Sequence, residues 1–116
     1  MIKVYGIPNC DTIKKTQEWL SNNKVSFEFH DYKKEGITAS KLKEWIKLVG
    51  WETLFNKKSS TWKKLKEATG QDVTNAAEAI KIMQANNSII KRPVVEHNGT
   101  ILVGFTVAAF EEQLLT

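Results

Sequence analysis

The chain has a single cysteine, Cys10, within the stretch "GIPNCDTIKKTQEWL". Gly6 and Pro8 mark a turn before it, and a helical pattern follows it. The first turn of a helix has unpaired backbone N–H groups, and together with the positive end of the helix dipole they stabilise a thiolate. The position therefore predicts a moderately lowered pKa for Cys10. Lys14, one turn on, would add to this effect, and Asp11 would oppose it.

A lone cysteine has two alternative uses. It cannot form an internal disulfide, so the fold needs no oxidising compartment. Free cysteines are commonly small buried hydrophobes, so an inert Cys10 is one alternative. The other is a reactive thiolate, which the position at a helix start favours. A nucleophile without a second cysteine must be resolved by a thiol from outside.

The only arginine, Arg92, directly precedes Pro93 and a β-rich segment in this lysine-rich chain. A guanidinium offers carboxylates and oxyanions a planar, bidentate fork that an ammonium lacks. This favours an anion-binding role for Arg92, with a surface salt bridge as the alternative. A proline at the start of a strand is also compatible with a cis peptide bond, which composition does not establish.

Other side chains that could do chemistry form no pattern. His30 and His97 lie far apart and have no metal-ligand spacing with the single cysteine, so we expect strand or surface histidines and no metal. The sequence has no Gly-rich phosphate loop. The four tryptophans fall in or beside predicted helices, and for most of them we expect core packing.

The elements that position Cys10 begin with a strand over residues 2–7. A helix follows from Asp11 to Asn22-Asn23, with Ile13, Thr16, Gln17 and Leu20 near one face. The segment "VSFEFHDY" then alternates apolar and polar residues, which indicates a second strand. Together they predict a right-handed βαβ unit over residues 2–32 with parallel strands.

The middle of the chain is predicted to be helical. Thr38 or Ser40 can cap "KLKEWIKLVG", Ser59 or Ser60 can cap "TWKKLKEATG", and "TNAAEAIKIMQAN" forms a third helix. In "RPVVEHNGTILVGF" two β-runs meet at Asn-Gly, the strongest short hairpin signal. A final helix follows in "TVAAFEEQLL".

This order predicts an α/β protein with a thioredoxin-like fold (βαβ…ββα, mixed sheet) that carries a helical insertion at about residues 38–88. We expect residues 1–116 to form one domain. The carboxyl end of the first strand and the start of the following helix meet at Cys10, where ligands tend to bind in open α/β sheets.

Composition excludes some functions. The net charge of +4 draws anions weakly but is too small for a dedicated nucleic-acid binder, and we expect most lysines on solvated helix faces. No apolar run approaches the ~18 residues of a membrane span, and the strand-like first residues have no charged n-region and cleavage site, so we expect no signal peptide. We expect a cytoplasmic monomer that binds neither nucleic acid nor a membrane.

Four segments resemble the glutaredoxin-linked arsenate reductase (ArsC) family. They lie in the family's order over nearly the whole chain: "YGIPNCDTIKKTQEWL", "FHDYKKEGIT", "LFNKKSSTWKKL", and "IIKRPVV" followed by "VGF". Within the family the sequence is most similar to the YffB-type branch, which is related to the Spx transcriptional regulators.

The resemblance implies roles for single residues. The family's nucleophile falls on Cys10, and Thr12 keeps its Cys-x-Thr pattern. The proline that is cis in thioredoxin-like folds falls on Pro93, and the oxyanion-binding arginine falls on Arg92. A second arginine of the true arsenate reductases corresponds to Lys58.

Their third arginine corresponds to Gly104-Phe105 and is absent from this chain.

The resemblance as a whole implies a glutathione-dependent monothiol reductase in which Cys10 attacks a disulfide or an oxyanion. Glutathione or glutaredoxin would resolve the adduct, and no cofactor would be bound. The glycyl carboxylate of glutathione would pair with Arg92 or a nearby lysine, and its backbone would add beside Pro93.

Two alternatives remain. One is a true arsenate reductase, which the missing arginines disfavour. The other is a non-catalytic, Spx-like binding protein. Spx proteins usually carry a second cysteine three residues after the first, where this chain has Ile13, and they continue into a basic tail. The resemblance therefore implies RNA polymerase as a partner less strongly than it implies glutathione or glutaredoxin.

Overall fold

The computed structural model describes residues 1–115. They form two compact units, each with buried apolar residues of its own. The sheet unit comprises residues 1–35 and the chain from residue 92 onward, and the helical unit comprises residues 36–91. The expectation of a single domain stays a prediction.

The sheet unit contains a four-stranded sheet with the order β2-β1-β3-β4. β1 pairs with β2 in parallel, and β3 pairs with β1 and β4 in antiparallel register, so the predicted mixed sheet is confirmed. The elements of the unit are β1 (Ile2–Gly6), α1 (Asp11–Asn22), β2 (Phe27–Asp31), the single turn α2 (Tyr32–Glu35), β3 (Val94–His97), β4 (Thr100–Val103) and α7 (Val107–Leu114).

The hairpin between β3 and β4 turns at the predicted residues. Asn98 and Gly99 both adopt left-handed backbone conformations, with φ of 47° and 77°. Two-residue hairpins with this geometry match the right-handed twist of the strands and favour Asn-Gly. The turn therefore fixes the register in which Val94 pairs with Val103.

One face of the sheet carries the apolar core of this unit. Ile2, Val4 and Val95 pack there against Leu20 of α1 and Phe110 of α7. Burial of these side chains holds α1 against β1, because apolar surface removed from water contributes about 25 cal/mol per Å².

A second group of side chains anchors the start of α1. Ile13 and Thr16 are buried on the face predicted from the sequence. The Thr16 hydroxyl donates a 2.7 Å hydrogen bond to the carbonyl of Thr12, so this buried polar group is satisfied.

In the helical unit Thr38 and Ser59, and not the alternatives Ser40 and Ser60, are the N-cap residues. Thr38 caps the first of its helices with a 3.1 Å bond from the Lys41 N–H, and Ser59 accepts from the Trp62 N–H at 3.4 Å. The helices are α3 (Ala39–Val49), α4 (Trp51–Leu54), α5 (Ser60–Thr69) and α6 (Ala76–Ala85), followed by a 3₁₀ helix (Asn87–Ile89). The single turns α2 and α4 and the 3₁₀ helix were not predicted, and Tyr32, which the sequence placed in a strand, begins α2.

Buried aromatic rings hold the helical unit together. Trp45 and Trp62 are buried, as expected, whereas Trp19 of the sheet unit and Trp51 are only half-buried. The Phe55 ring meets the Trp62 ring edge-on at 5.0 Å between centroids. In the described residues no helix is both long and apolar enough to cross a membrane.

Gly6 lacks a side chain, and this allows Ile13 of α1 to pack closely against β1. This close packing generates a prediction. A Cβ atom at residue 6 would lie 2.9 Å from Cγ1 of Ile13 and closer still to its Cδ1. Gly6→Ala should therefore lower the free energy of unfolding by about 1–3 kcal/mol, a typical overpacking penalty. Urea unfolding of both proteins measures the difference.

Ile13→Val supplies the matched background, because it removes Cδ1. Gly6→Ala should be less destabilising in that background, so the double-mutant cycle should show a coupling energy. Equal penalties in both backgrounds would contradict the packing explanation.

Candidate active site

The backbone places Cys10 at the start of α1. The residue is the N-cap, with φ −106° and ψ 130°, and its side chain is half-buried. Asn9, immediately before it, adopts a left-handed conformation with φ 66°, which asparagine tolerates better than most residues. The Lys14 N–H donates to the Cys10 carbonyl at 3.0 Å, so the hydrogen bonding of the helix begins at the cysteine itself.

Opposing effects set the pKa of Cys10. Burial of the sulfur acts to raise the pKa. The backbone N–H groups of Ile13 and Thr12, at the start of α1, act to lower the pKa, and Arg92 lowers it further through its positive charge and a hydrogen bond. The result is a pKa below the usual value for a cysteine, so the predicted direction agrees with the structure. Arg92 supplies a positive charge beside the sulfur, a contribution that the sequence suggested for Lys14.

Arg92 reaches the sulfur from the segment before β3. The Arg92–Pro93 peptide bond is cis, and Pro93 is buried. The Pro93 carbonyl accepts a 2.9 Å hydrogen bond from the Gly104 N–H, which ties this segment to the end of β4. The hairpin therefore positions the arginine that acts on the thiolate.

The structure brings together Cys10, Thr12 and Arg92, and Pro93 adjoins this group along the chain. Lys14 is exposed on α1. Lys58 belongs to the helical unit, in the loop before α5, where its N–H donates to Asn56 Oδ1 at 3.1 Å. The roles assigned to Lys14 and Lys58 stay predictions.

The loop that carries Lys58 lines a hollow of about 310 Å³ within the helical unit. Lys57 and Lys91 line it together with Lys58, and Glu52 contributes one carboxylate. The Lys57 ammonium lies 5.8 Å from the centre of the Trp51 ring, within cation–π range.

A polar and aromatic cluster on the other face of the sheet was not predicted from the sequence. The Tyr5 hydroxyl donates a 2.7 Å hydrogen bond to Glu96 Oε1, and the Tyr5 ring lies 4.7 Å from the His30 ring. His30 is half-buried in β2, and its Nδ1 lies 3.5 Å from a Glu35 carboxylate oxygen. The available signal was strand alternation, which puts Tyr5, His30 and Glu96 opposite the apolar face.

Tyr32 completes this cluster. Its ring centre lies 6.3 Å from that of Tyr5 and 5.9 Å from that of His30. The hydroxyl is buried and has no hydrogen-bond partner. Burial raises the pKa of Tyr32 far above its usual value, Tyr5 and Glu96 raise it further, and Arg92 acts in the opposite direction. Tyr32 is therefore neutral at any physiological pH.

The described part of the chain offers no group of three or more His, Cys, Asp or Glu side chains that could hold a metal ion. The chemistry available at this site is that of a thiolate, a guanidinium and the backbone N–H groups of a helix start.

The strand order, with a cysteine at the first helix and a cis-proline before the third strand, defines a thioredoxin-like fold. The model of the ArsC family matches residues 5–113, and the chain therefore belongs to the ArsC family. The resemblance drawn from the sequence is confirmed.

Solved structures of family members agree with this assignment. The chain is 44% identical to a YFFB protein, with a TM-score of 0.91 and coverage of 98% of this chain and 99% of that one. It is 43% identical to an arsenate reductase (ArsC) related protein from Brucella melitensis, with a TM-score of 0.74 and coverage of 96% and 92%. The predicted similarity to the YffB-type branch is therefore confirmed.

The relation to Spx regulators is also confirmed, at greater distance. The chain is 24% identical over 107 residues to the global transcriptional regulator Spx of Streptococcus agalactiae. The match covers 90% of this chain and 77% of the regulator.

The contact between Arg92 and the sulfur predicts the pH dependence of alkylation. Because the pKa of Cys10 is lowered, the iodoacetamide rate should reach half its maximum at a lower pH than for a free thiol. Arg92→Gln should move that midpoint to higher pH, since it removes the guanidinium charge but leaves the N–H groups of Thr12 and Ile13.

Lys15→Gln is the matched control, because Lys15 is exposed on the same helix. It should leave the midpoint almost unchanged. An equal shift in both variants would show that net charge, and not the position of Arg92, sets the pKa.

Proposed function

We propose that this protein is a glutathione-dependent monothiol reductase in which the Cys10 thiolate is the nucleophile. The supporting observation is the lowered pKa of a half-buried cysteine at a helix start, next to Arg92. The chain contains 1 cysteine, so no internal thiol can resolve a mixed disulfide. Membership of the ArsC family supports thiol-dependent reduction as the general chemistry.

The reaction with a disulfide RSSR′ proceeds by thiol exchange. The Cys10 thiolate attacks one sulfur, forms Cys10–S–S–R and releases R′S⁻, which takes a proton from water. A glutathione thiolate then attacks the Cys10 sulfur and releases RS⁻, leaving glutathione on Cys10. A second glutathione thiolate attacks that glutathionyl sulfur, which yields oxidised glutathione and restores the Cys10 thiolate. Two glutathione molecules are oxidised for each disulfide reduced.

The residues around Cys10 stabilise its thiolate, which is the nucleophile of the first step and the leaving group of the last step. The N–H groups of Thr12 and Ile13, with Arg92, favour the thiolate both as nucleophile and as leaving group. The glycyl carboxylate of glutathione pairs with Arg92 or a nearby lysine such as Lys14. Its backbone adds as a strand beside Pro93.

The proposed setting is the cytoplasm, where glutathione is plentiful and a chain with a single cysteine needs no disulfide. The protein acts as a monomer without a bound cofactor, and glutaredoxin is the alternative resolving thiol. A nucleic-acid or membrane partner has no support in the modest net charge of +4.

The similarity to Spx makes a regulatory binding protein the second candidate. That candidate predicts an unreactive Cys10 and a protein partner, of which RNA polymerase is one. The lowered pKa of Cys10 favours the reductase.

A true arsenate reductase has weaker support. The position of the third family arginine is taken by Gly104 and Phe105. Gly104 has φ 83°, and the Phe105 ring packs edge-on against Phe110 at 4.9 Å between centroids. Phe105 thus contributes to the core and not to an oxyanion clamp.

Incubation with oxidised glutathione tests the proposed nucleophile. The intact protein should gain one glutathione at neutral pH, measured by mass spectrometry, and an excess of reduced glutathione should remove it. Cys10→Ser should gain none, because the thiolate is missing. An unmodified wild-type protein would favour the regulatory candidate.

A steady-state assay with arsenate, glutathione and glutaredoxin tests the oxyanion activity. We expect little or no turnover, because only Arg92 of the family's three arginines is present. An authentic arsenate reductase run in parallel controls the coupling system. Turnover at a comparable rate would contradict the expectation.

A further inference from the structure

The Tyr32 hydroxyl is a buried polar group that the folded chain leaves unsatisfied. The side chain is 1% exposed, and its oxygen has no hydrogen-bond partner. Leaving such a group unpaired is unfavourable, and native proteins keep few of them. The unfavourable free energy is explained when the hydroxyl serves a molecule that binds to the folded protein.

Strand pairing puts Tyr32 at the same end of the sheet as Cys10. Gly6, the last residue of β1, pairs with Asp31, the last residue of β2, and Tyr32 follows directly as the first residue of α2. Cys10 lies just beyond the same end of β1. The Tyr32 ring contacts Tyr5 and His30, so its position is fixed by packing before any ligand arrives.

Arg92 reaches this end of the sheet from the other side of β1. In the strand order β2-β1-β3, Val94 pairs with Tyr5, and Arg92 lies two residues earlier. The positive charge of Arg92 acts on both the Cys10 sulfur and the Tyr32 hydroxyl. Arg92 is thus the charged group that influences both the Cys10 sulfur and the Tyr32 hydroxyl.

We propose that the Tyr32 hydroxyl donates a hydrogen bond to an anionic oxygen of the molecule that binds at Cys10 and Arg92. The oxygen belongs either to a carboxylate of glutathione or to a tetrahedral oxyanion, which present the same chemistry to a donor. Tyr32 is then a ligand-binding residue at the start of α2, and it complements the fork of Arg92 with one directional bond. The inference rests on the proposed function, since it names a further residue of the same site.

A neutral hydroxyl suits this role. A tyrosinate would repel an anion, whereas Tyr32 keeps its proton at physiological pH because of its burial. A hydrogen bond to a charged group is worth more than a neutral one, and the bound state would satisfy an oxygen that the free protein leaves unpaired.

The test compares Cys10→Ser with Cys10→Ser/Tyr32→Phe, so that binding is measured without thiol chemistry. Arsenate and S-methylglutathione are titrated separately, and the backbone amide signals of Thr12 and Arg92 are followed by NMR. For the probe that uses Tyr32, the Kd should rise about tenfold in the double variant, which corresponds to about 1.4 kcal/mol. The probe that is affected identifies the source of the anionic oxygen.

Thermal unfolding of single variants separates binding from a structural role. Tyr32→Phe should not lower the melting temperature, because it removes a hydroxyl without a partner. Tyr5→Phe is the matched control in the same cluster, and it should lower the melting temperature because it removes the donor to Glu96.

Unchanged Kd values for both probes, or binding of neither probe to Cys10→Ser, would overturn the inference. A melting temperature of Tyr32→Phe as low as that of Tyr5→Phe, together with unchanged binding, would assign the hydroxyl to folding alone. The reductase proposal is judged separately by the glutathione adduct on Cys10. It can hold while the role of Tyr32 fails, and the reverse also applies.

Discussion

The stabilisation of the Cys10 thiolate by the backbone N–H groups of the first turn of α1 is the interaction on which the site depends. These N–H groups have no partner within the helix, so they are available only because the helix starts at the cysteine. The burial of Ile13, Thr16 and Leu20 keeps the helix against β1. The apolar core thus fixes the direction of the dipoles that act on the sulfur, and the chemistry follows from ordinary packing.

Arg92 adds the one element that a helix start cannot supply, a full positive charge. Its position depends on the opposite end of the chain, because Pro93 is bonded to Gly104 at the end of the second hairpin strand. The N-terminal βαβ unit and the C-terminal hairpin therefore each contribute one half of the thiolate environment. The register of β1 with β3 brings these halves together.

Local signals allowed much of this to be predicted from the sequence. The turn before Cys10, the Asn98-Gly99 pair and the helix caps at Thr38 and Ser59 act within a few residues, so the pattern itself contains the physical cause. The role of Arg92 was suggested by its rarity and by its place before Pro93.

What could not be predicted depends on pairing between distant strands. Tyr5, His30 and Glu96 form a cluster only because three strands align in one register, and no short window contains them. Tyr32 was predicted to end a strand but begins α2, and its buried hydroxyl is a property of the packed molecule. The turn α4 was missed because four residues after Gly50 are too few to show a period.

The position of Cys10 as the N-cap has an energetic consequence for the redox cycle. A thiolate there is stabilised by the dipoles of α1, whereas a mixed disulfide carries no charge and gains nothing comparable. Stabilisation of the reduced form makes the corresponding disulfide more oxidising, because the thiolate is the better leaving group. The fold thus biases the equilibrium toward the free thiolate, and the helix that creates the nucleophile also favours its regeneration.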